Sequence, residues 1–189
     1  MNNLAAAGEL IIRTIFGIYI FFVLARFFLQ LFRADFYNPL SQGVVTVTNP
    51  VLRPLRRIIP GLGGIDVASL VLVVALMMLQ LFLVFLLYGR TAALLGLFLL
   101  ALVEIVRLII WIFLIAIFLQ IIISLVSPGA YNHFTQVLYS FTRPLLEPAR
   151  RLLPAFGGLD LSPIIPIVGL QLVLMLLVSP LATVAQRFL

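Results

Sequence analysis

The segment NPVLRPLRRIIPGLGGID, residues 49–66, returns as RPLLEPARRLLPAFGGLD, residues 143–160, at an offset of 94 without a gap. Extended back to Tyr37 and Tyr131, the match reaches thirteen identities in thirty positions. The first set is Tyr37, Asn38, Gln42, Thr48, Pro50, Leu52, Pro54, Arg56, Arg57, Pro60, Gly63, Gly64 and Asp66. The second is Tyr131, Asn132, Gln136, Thr142, Pro144, Leu146, Pro148, Arg150, Arg151, Pro154, Gly157, Gly158 and Asp160. Such self-similarity is read before any fold is assigned, because each copy marks one structural unit.

Apolar runs flank both copies. They are Leu10 to Phe32 and Val67 to Tyr88 around the first, and Thr91 to Val126 and Leu161 to Leu181 around the second. A bilayer-spanning helix needs roughly 20 mostly apolar residues, so each run is long enough. The third is too long. As one helix it measures about 54 Å at ~1.5 Å per residue, against a hydrocarbon core of about 30 Å. We place its span at about Ile105 to Val126. Residues 91–104 are then an apolar linker: an interfacial or re-entrant segment, or an extension of a neighbouring helix. The expected architecture is an all-α membrane protein of about four spans. Residues 1–90 form the first span–loop–span unit and 105–189 the second.

An even number of spans per unit returns the chain to its starting side. The copies are therefore parallel, unlike the inverted repeats of many transporters. This holds provided 91–104 does not cross. Both basic loops then share a side. They carry Arg33, Arg53, Arg56 and Arg57, then Arg143, Arg150 and Arg151. The positive-inside rule makes that side cytoplasmic and puts both termini outside. The N-terminus lacks a basic n-region, so the first span is expected to be retained rather than cleaved.

Composition agrees. The chain is 64% hydrophobic and only 10% charged, where soluble domains carry about 25% charged residues. It has no Cys and a single His. Disulfides, thiolate catalysis and histidine metal clusters are therefore excluded. The net charge of +6 comes wholly from Arg, with no Lys. Because these Arg residues border membrane spans, anionic headgroups are the nearer partner and nucleic acid is not expected. No phosphate-binding glycine loop, zinc-protease motif or paired acid–base carboxylates occur. An enzyme is not expected, and no metal or cofactor is implied.

The loop motif has a physical reading. Pro50 and Pro54 fit a helix start and its first turn. The alternation of Val51, Leu52, Ile58 and Ile59 with Arg53, Arg56 and Arg57 predicts a short amphipathic helix in the headgroup layer. Pro60 ends it, Gly63 and Gly64 permit a reversal at positive φ, and Asp66 caps the next span. Pro144, Pro148, Pro154, Gly157, Gly158 and Asp160 repeat the design. The loop either anchors topology or presents a binding surface. For the latter, Arg53, Arg56, Arg57, Arg143, Arg150 and Arg151 are the candidates for lipid phosphate or an acidic partner. Asn38, Gln42, Asn132 and Gln136 are expected to cap the first span of each unit or bond to backbone; the alternative is a polar groove between copies.

Ionisable residues inside spans are costly and point to function by default. Glu104 and Arg107 stand three apart, Glu9 and Arg13 four apart, and both can pair on one helix face. Paired interfacial anchors are the simpler reading. Arg26 lies deeper, and its counterpart is Gln120. Arg26 either snorkels toward the loop side or meets Gln120 across the copies. Met77, Met78 and Met175 read as packing residues.

The doubled motif resembles the YggT (YlmG-related) family, and the resemblance covers nearly the whole chain. It implies an integral inner-membrane protein without agreed catalytic residues. Relatives are associated with organelle nucleoid distribution and division, with cytochrome b6 haem maturation, and with osmotic-stress tolerance and ion homeostasis. From these follow three readings: a scaffold or assembly factor working with a membrane-protein partner or as a homo-oligomer, a component of ion transport or osmotic adaptation, or a haem-related assembly factor. His133 stands where the first copy has Pro39, which argues against a repeated haem-ligand site.

Overall fold

The computed structural model describes residues 3–127, 129, 131–153 and 160–189. The expected positions Pro154, Gly157 and Gly158 lie outside these. The elements are α1 (Asn3–Leu31), α2 (Pro39–Ile58), α3 (Val67–Leu87), α4 (Leu94–Val126), α5 (His133–Leu152), α6 (Ile164–Val173), a π-helical turn (Leu174–Val178) and α7 (Ser179–Gln186). The last three form one apolar helix, Ile164–Gln186. With α1, α3 and α4 it makes four helices long and apolar enough to cross a membrane. The π turn precedes Pro180, whose missing N–H breaks the regular ladder there.

The third apolar run is one continuous helix, so residues 94–104 are an extension of the span and not a separate re-entrant piece. The repeat explains its length. The offset of 94 carries Asn3–Leu31 to residues 97–125, nearly the full extent of α4. The extra turns of α4 thus match Asn3 to Glu9 of α1, which are less apolar and do not read as membrane-spanning. With no additional crossing between α3 and α4, the copies run parallel. Arg13 near the start of α1 and Glu104 near the start of α4 line one cleft, while α2 and α5 pack together at the other end.

The loop helices differ from the expectation in where they begin. Each has 20 residues, and the prolines sit well inside it. Asn38 and Asn132 cap these loop helices rather than the first spans. Asn38 Oδ1 accepts from Leu40 N at 2.9 Å and Asn132 Oδ1 from Thr135 N at 2.9 Å. Thr135 Oγ1 in turn accepts from Asn132 N at 2.9 Å, completing a reciprocal cap. The internal prolines are tolerated because Pro50 and Pro54, and likewise Pro144 and Pro148, are four apart on an exposed face. The lost acceptor bonds release the carbonyls of Thr46 and Pro50 in copy 1, both at exposed residues.

The core lies where α1, α3 and α4 meet, with Ile20, Leu24, Val73 and Ala101 nearly inaccessible. An aromatic cluster ties the copies together. Phe28 of α1 meets Phe113 of α4 edge-to-face at 5.2 Å and Phe141 of α5 at 6.0 Å.

Candidate functional site

The end of the bundle that carries α2 and α5 is the candidate site. The sharp return after α2 builds it. Gly63 and Gly64 adopt φ of 59° and 85°, and Leu62 and Ile65 exchange backbone bonds of 2.9 and 3.2 Å. Two consecutive positive φ angles suit glycine in such a turn. The reversal brings Asp66 back against α2, where it meets Arg56.

Asp66 is buried. It pairs with Arg56 through Nη2, with a second bond from Nε at 3.3 Å. It caps α3 by accepting from Ser69 N at 3.4 Å and from the Ser69 hydroxyl. Gln30 supports the turn, its Nε2 donating to Gly64 O at 3.4 Å. Burial pushes the Asp66 carboxyl up, but the hydrogen bonds from Arg56 and Ser69 and the Arg56 charge outweigh it and hold it below its ordinary value. Copy 2 repeats the pair. Arg150 Nε donates to Asp160 at 3.1 Å, and Ser162 N donates to it at 3.0 Å. Burial raises Asp160 too, and bonding to Ser162 and Arg150 lowers it further than burial lifts it. Asp160 holds a turn here rather than capping a helix, because Pro163 takes the N-cap position of α6. Arg56 and Arg150, expected as phosphate candidates, are therefore committed to carboxylates within the chain.

Arg26 and Gln120 do not meet each other. Each bonds within its own copy. Arg26 Nη1 donates to Thr48 Oγ1 and Asn49 Oδ1, both at 2.8 Å, and to Val45 O at 3.3 Å. Gln120 is hydrogen-bonded to Thr142. Thr48 and Thr142 are repeat equivalents, 22 residues beyond Arg26 and Gln120 respectively. Both contacts fasten a loop helix to the span before it. Sequence reasoning missed these threonines, although each is identical between copies at the shared offset. Asn38 also joins the copies, its Nδ2 donating to His133 O at 2.7 Å and to Gln136 Oε1 at 3.4 Å. The amide nitrogen of Asn38 thus bonds across the copies while its oxygen caps α2. Gln42 only reaches Tyr37 O at 3.5 Å.

Exposed cations at this end are Arg33, Arg53, Arg57, Arg143, Arg151 and also the paired Arg150. Arg143 and Arg151 share Glu147 at 3.1 and 3.6 Å. A cleft of about 330 Å³ opens in copy 2 between Gln120, Tyr139, Thr142, Arg143, Glu147 and Arg150. At the opposite end, Arg13 bonds Glu9 at 2.6 Å and Arg107 bonds Glu104 at 2.7 Å, as their spacing predicts. Tyr88 adds a bond to Glu9 at 2.6 Å. Among the described residues no cluster of His, Asp and Glu could hold a metal.

The CCB3/YggT family profile matches residues 6–87 and 99–181, one match per copy. An uncharacterized protein of Pseudomonas aeruginosa is 44% identical over 96% of this chain and 93% of its own. One of Vibrio alginolyticus, named for its place in the proC 3′ region, is 41% identical over 85% and 88%. The uncharacterized protein YggT of Escherichia coli K12 is 38% identical over 86% and 85%. No solved structure matches.

Proposed function

We propose that this chain, which belongs to the CCB3/YggT family, is a non-enzymatic scaffold or assembly factor of the bacterial inner membrane. It acts through its two Arg-rich loop helices. The observation that carries this reading is their placement: α2 and α5 are amphipathic, capped and packed side by side at one end of the bundle. Arg56 and Arg150 bond Asp66 and Asp160, which fixes the helices, while Arg53, Arg57, Arg143 and Arg151 face outward, the last two sharing Glu147. Such a platform suits anionic headgroups or an acidic segment of a membrane-protein partner. The positive-inside rule makes its side cytoplasmic. The ion-transport reading is weakened, since Arg26 and Gln120 both serve as fasteners of the loop helices.

Crosslinking and affinity capture from native membranes test the proposal. A membrane partner recovered with the wild type and lost with R53A/R57A/R143A/R151A is expected. Capture that is indifferent to all four substitutions would sink the platform. Sidedness is tested with single cysteines at Tyr37 and Arg90. The membrane-impermeant thiol reagent should label only the second from the periplasm.

A further inference from the structure

The chain itself shows how one repeat docks on the next. α3, the last span of copy 1, packs on α4, the first span of copy 2. Leu97, Ala101, Ile105 and Ile112 of α4 are buried in one cluster with Val73, Met77 and Leu81 of α3. Spacings of four, four and seven residues keep the α4 set on one helix face. The offset of 94 carries that face to Asn3, Ala7, Ile11 and Ile18 on α1. It carries the α3 face to Ile167, Gln171 and Met175 on the last span.

Apart from Ile167, which packs toward Ile110 and Leu114 of α4, both counterpart faces lack a partner within the chain. Asn3, Ala7, Ile11 and Ile18 are exposed, as are Gln171 and Met175, the last at 71%. Within the chain α1 packs on α2, α3 and α5, and the last span packs on α4 and α5. Lipid can cover the aliphatic residues. It leaves Gln171, well inside a span and without a side-chain hydrogen bond among the described residues, facing hydrocarbon at a cost.

We propose that a second copy of this chain covers these faces head to tail, its α1 seated on the last span as α4 is seated on α3. The complementary halves already sit at opposite ends of one sequence, and their mutual fit is displayed at the internal seam. The contact is heterologous, so it continues from chain to chain and closes into a ring only where the rotation per chain permits. Leu81 lines one cleft with Leu100 and Glu104. The equivalent neighbours between chains are Met175 with Ala6 and Leu10, and Ala6 is small enough for close helix approach.

The natural absence of cysteine makes the test direct. Two differently tagged chains, one A6C and the other M175C, are coexpressed and oxidised in native membranes with copper phenanthroline. A disulfide-linked product carrying both tags is expected. The pair L4C and L176C serves as control, because the counterparts Phe98 and Phe82 stay exposed beside the internal seam. It should give little product. A6W, made without either cysteine, should shift the detergent-solubilised protein to monomer mass with its thermal unfolding unchanged, since Ala6 is exposed in the single chain. Equal yield from the control pair, no product from A6C and M175C in folded protein, or an A6W protein that stays assembled would each overturn the proposal.

Discussion

Copy 1 and copy 2 hold the same Arg–Asp pair in different surroundings. In copy 1 Asp66 is 4% exposed, and Ser69 adds two hydrogen bonds to it. In copy 2 the Asp160 side chain is 35% exposed, and Pro163 stands where Ser69 would be. The polar fastener differs in the same sense. Copy 1 buries its cation on the span, with Arg26 reaching Thr48 and Asn49. Copy 2 keeps a neutral Gln120 on the span and carries its cation on the loop helix, where Arg143 is 75% exposed. Each copy therefore has one cation at this level, inside in one and at the surface in the other. Identical motif residues acquire unequal energetic weight from what packs over them.

The largest expected contrast is at the carboxylates. Breaking a mostly buried pair strands a charge, and D66A also removes a helix cap. We expect a loss of roughly 3 kcal/mol, against under about 1 kcal/mol for D160A at an exposed pair. Thermal or denaturant unfolding in detergent measures both, and equal losses would break the comparison. The pH response sharpens it. Both carboxyls are lowered by folding, so their stabilisation is present above the ordinary carboxylate range and is lost as pH falls through the depressed values. Acid should thus destabilise the wild type more than D66N, with D160N close to the wild type.

Next in size is the fastener. R26Q removes charge-assisted bonds to Asn49 and Val45 and should cost about 1–2 kcal/mol. Q120R alone sets a guanidinium near Arg143 and should destabilise. Adding R143N reproduces the copy 1 arrangement and should recover the loss. A double-mutant cycle of unfolding free energies reads the coupling. Smaller still are the caps. N132A should cost about 1 kcal/mol. N38A should cost more, because Asn38 also donates to His133 across the copies. The smallest stability effect is expected for R57A and R151A, within about 0.5 kcal/mol on an exposed face. These should instead reduce partner capture.

The spans, the doubling and the Asp66 cap of α3 were legible because their signals are local. Apolar run length, identity at a fixed offset, and Asn, Asp, Gly and Pro at turn positions each act within a few residues. The start of the loop helices was misread because Pro50 and Pro54 look like a helix entrance. Four apart and exposed, they also fit a helix interior. The partner of Arg26 was illegible because Thr48 is 22 residues away. Only the packing of α2 on α1 says which of several polar side chains it reaches.

By itself, then, the sequence determined the repeat unit, the four spans, the parallel relation of the copies and the basic character of one end. All follow from composition and periodicity. The tertiary structure alone decided that Arg56 and Arg150 pair with carboxylates, that Arg26 and Gln120 serve separate copies, and that the Asp66 pair is mostly buried while the Asp160 pair is not. Burial and long-range pairing depend on which surfaces meet. Two copies of nearly the same motif cannot differ in that respect until the chain around them has packed.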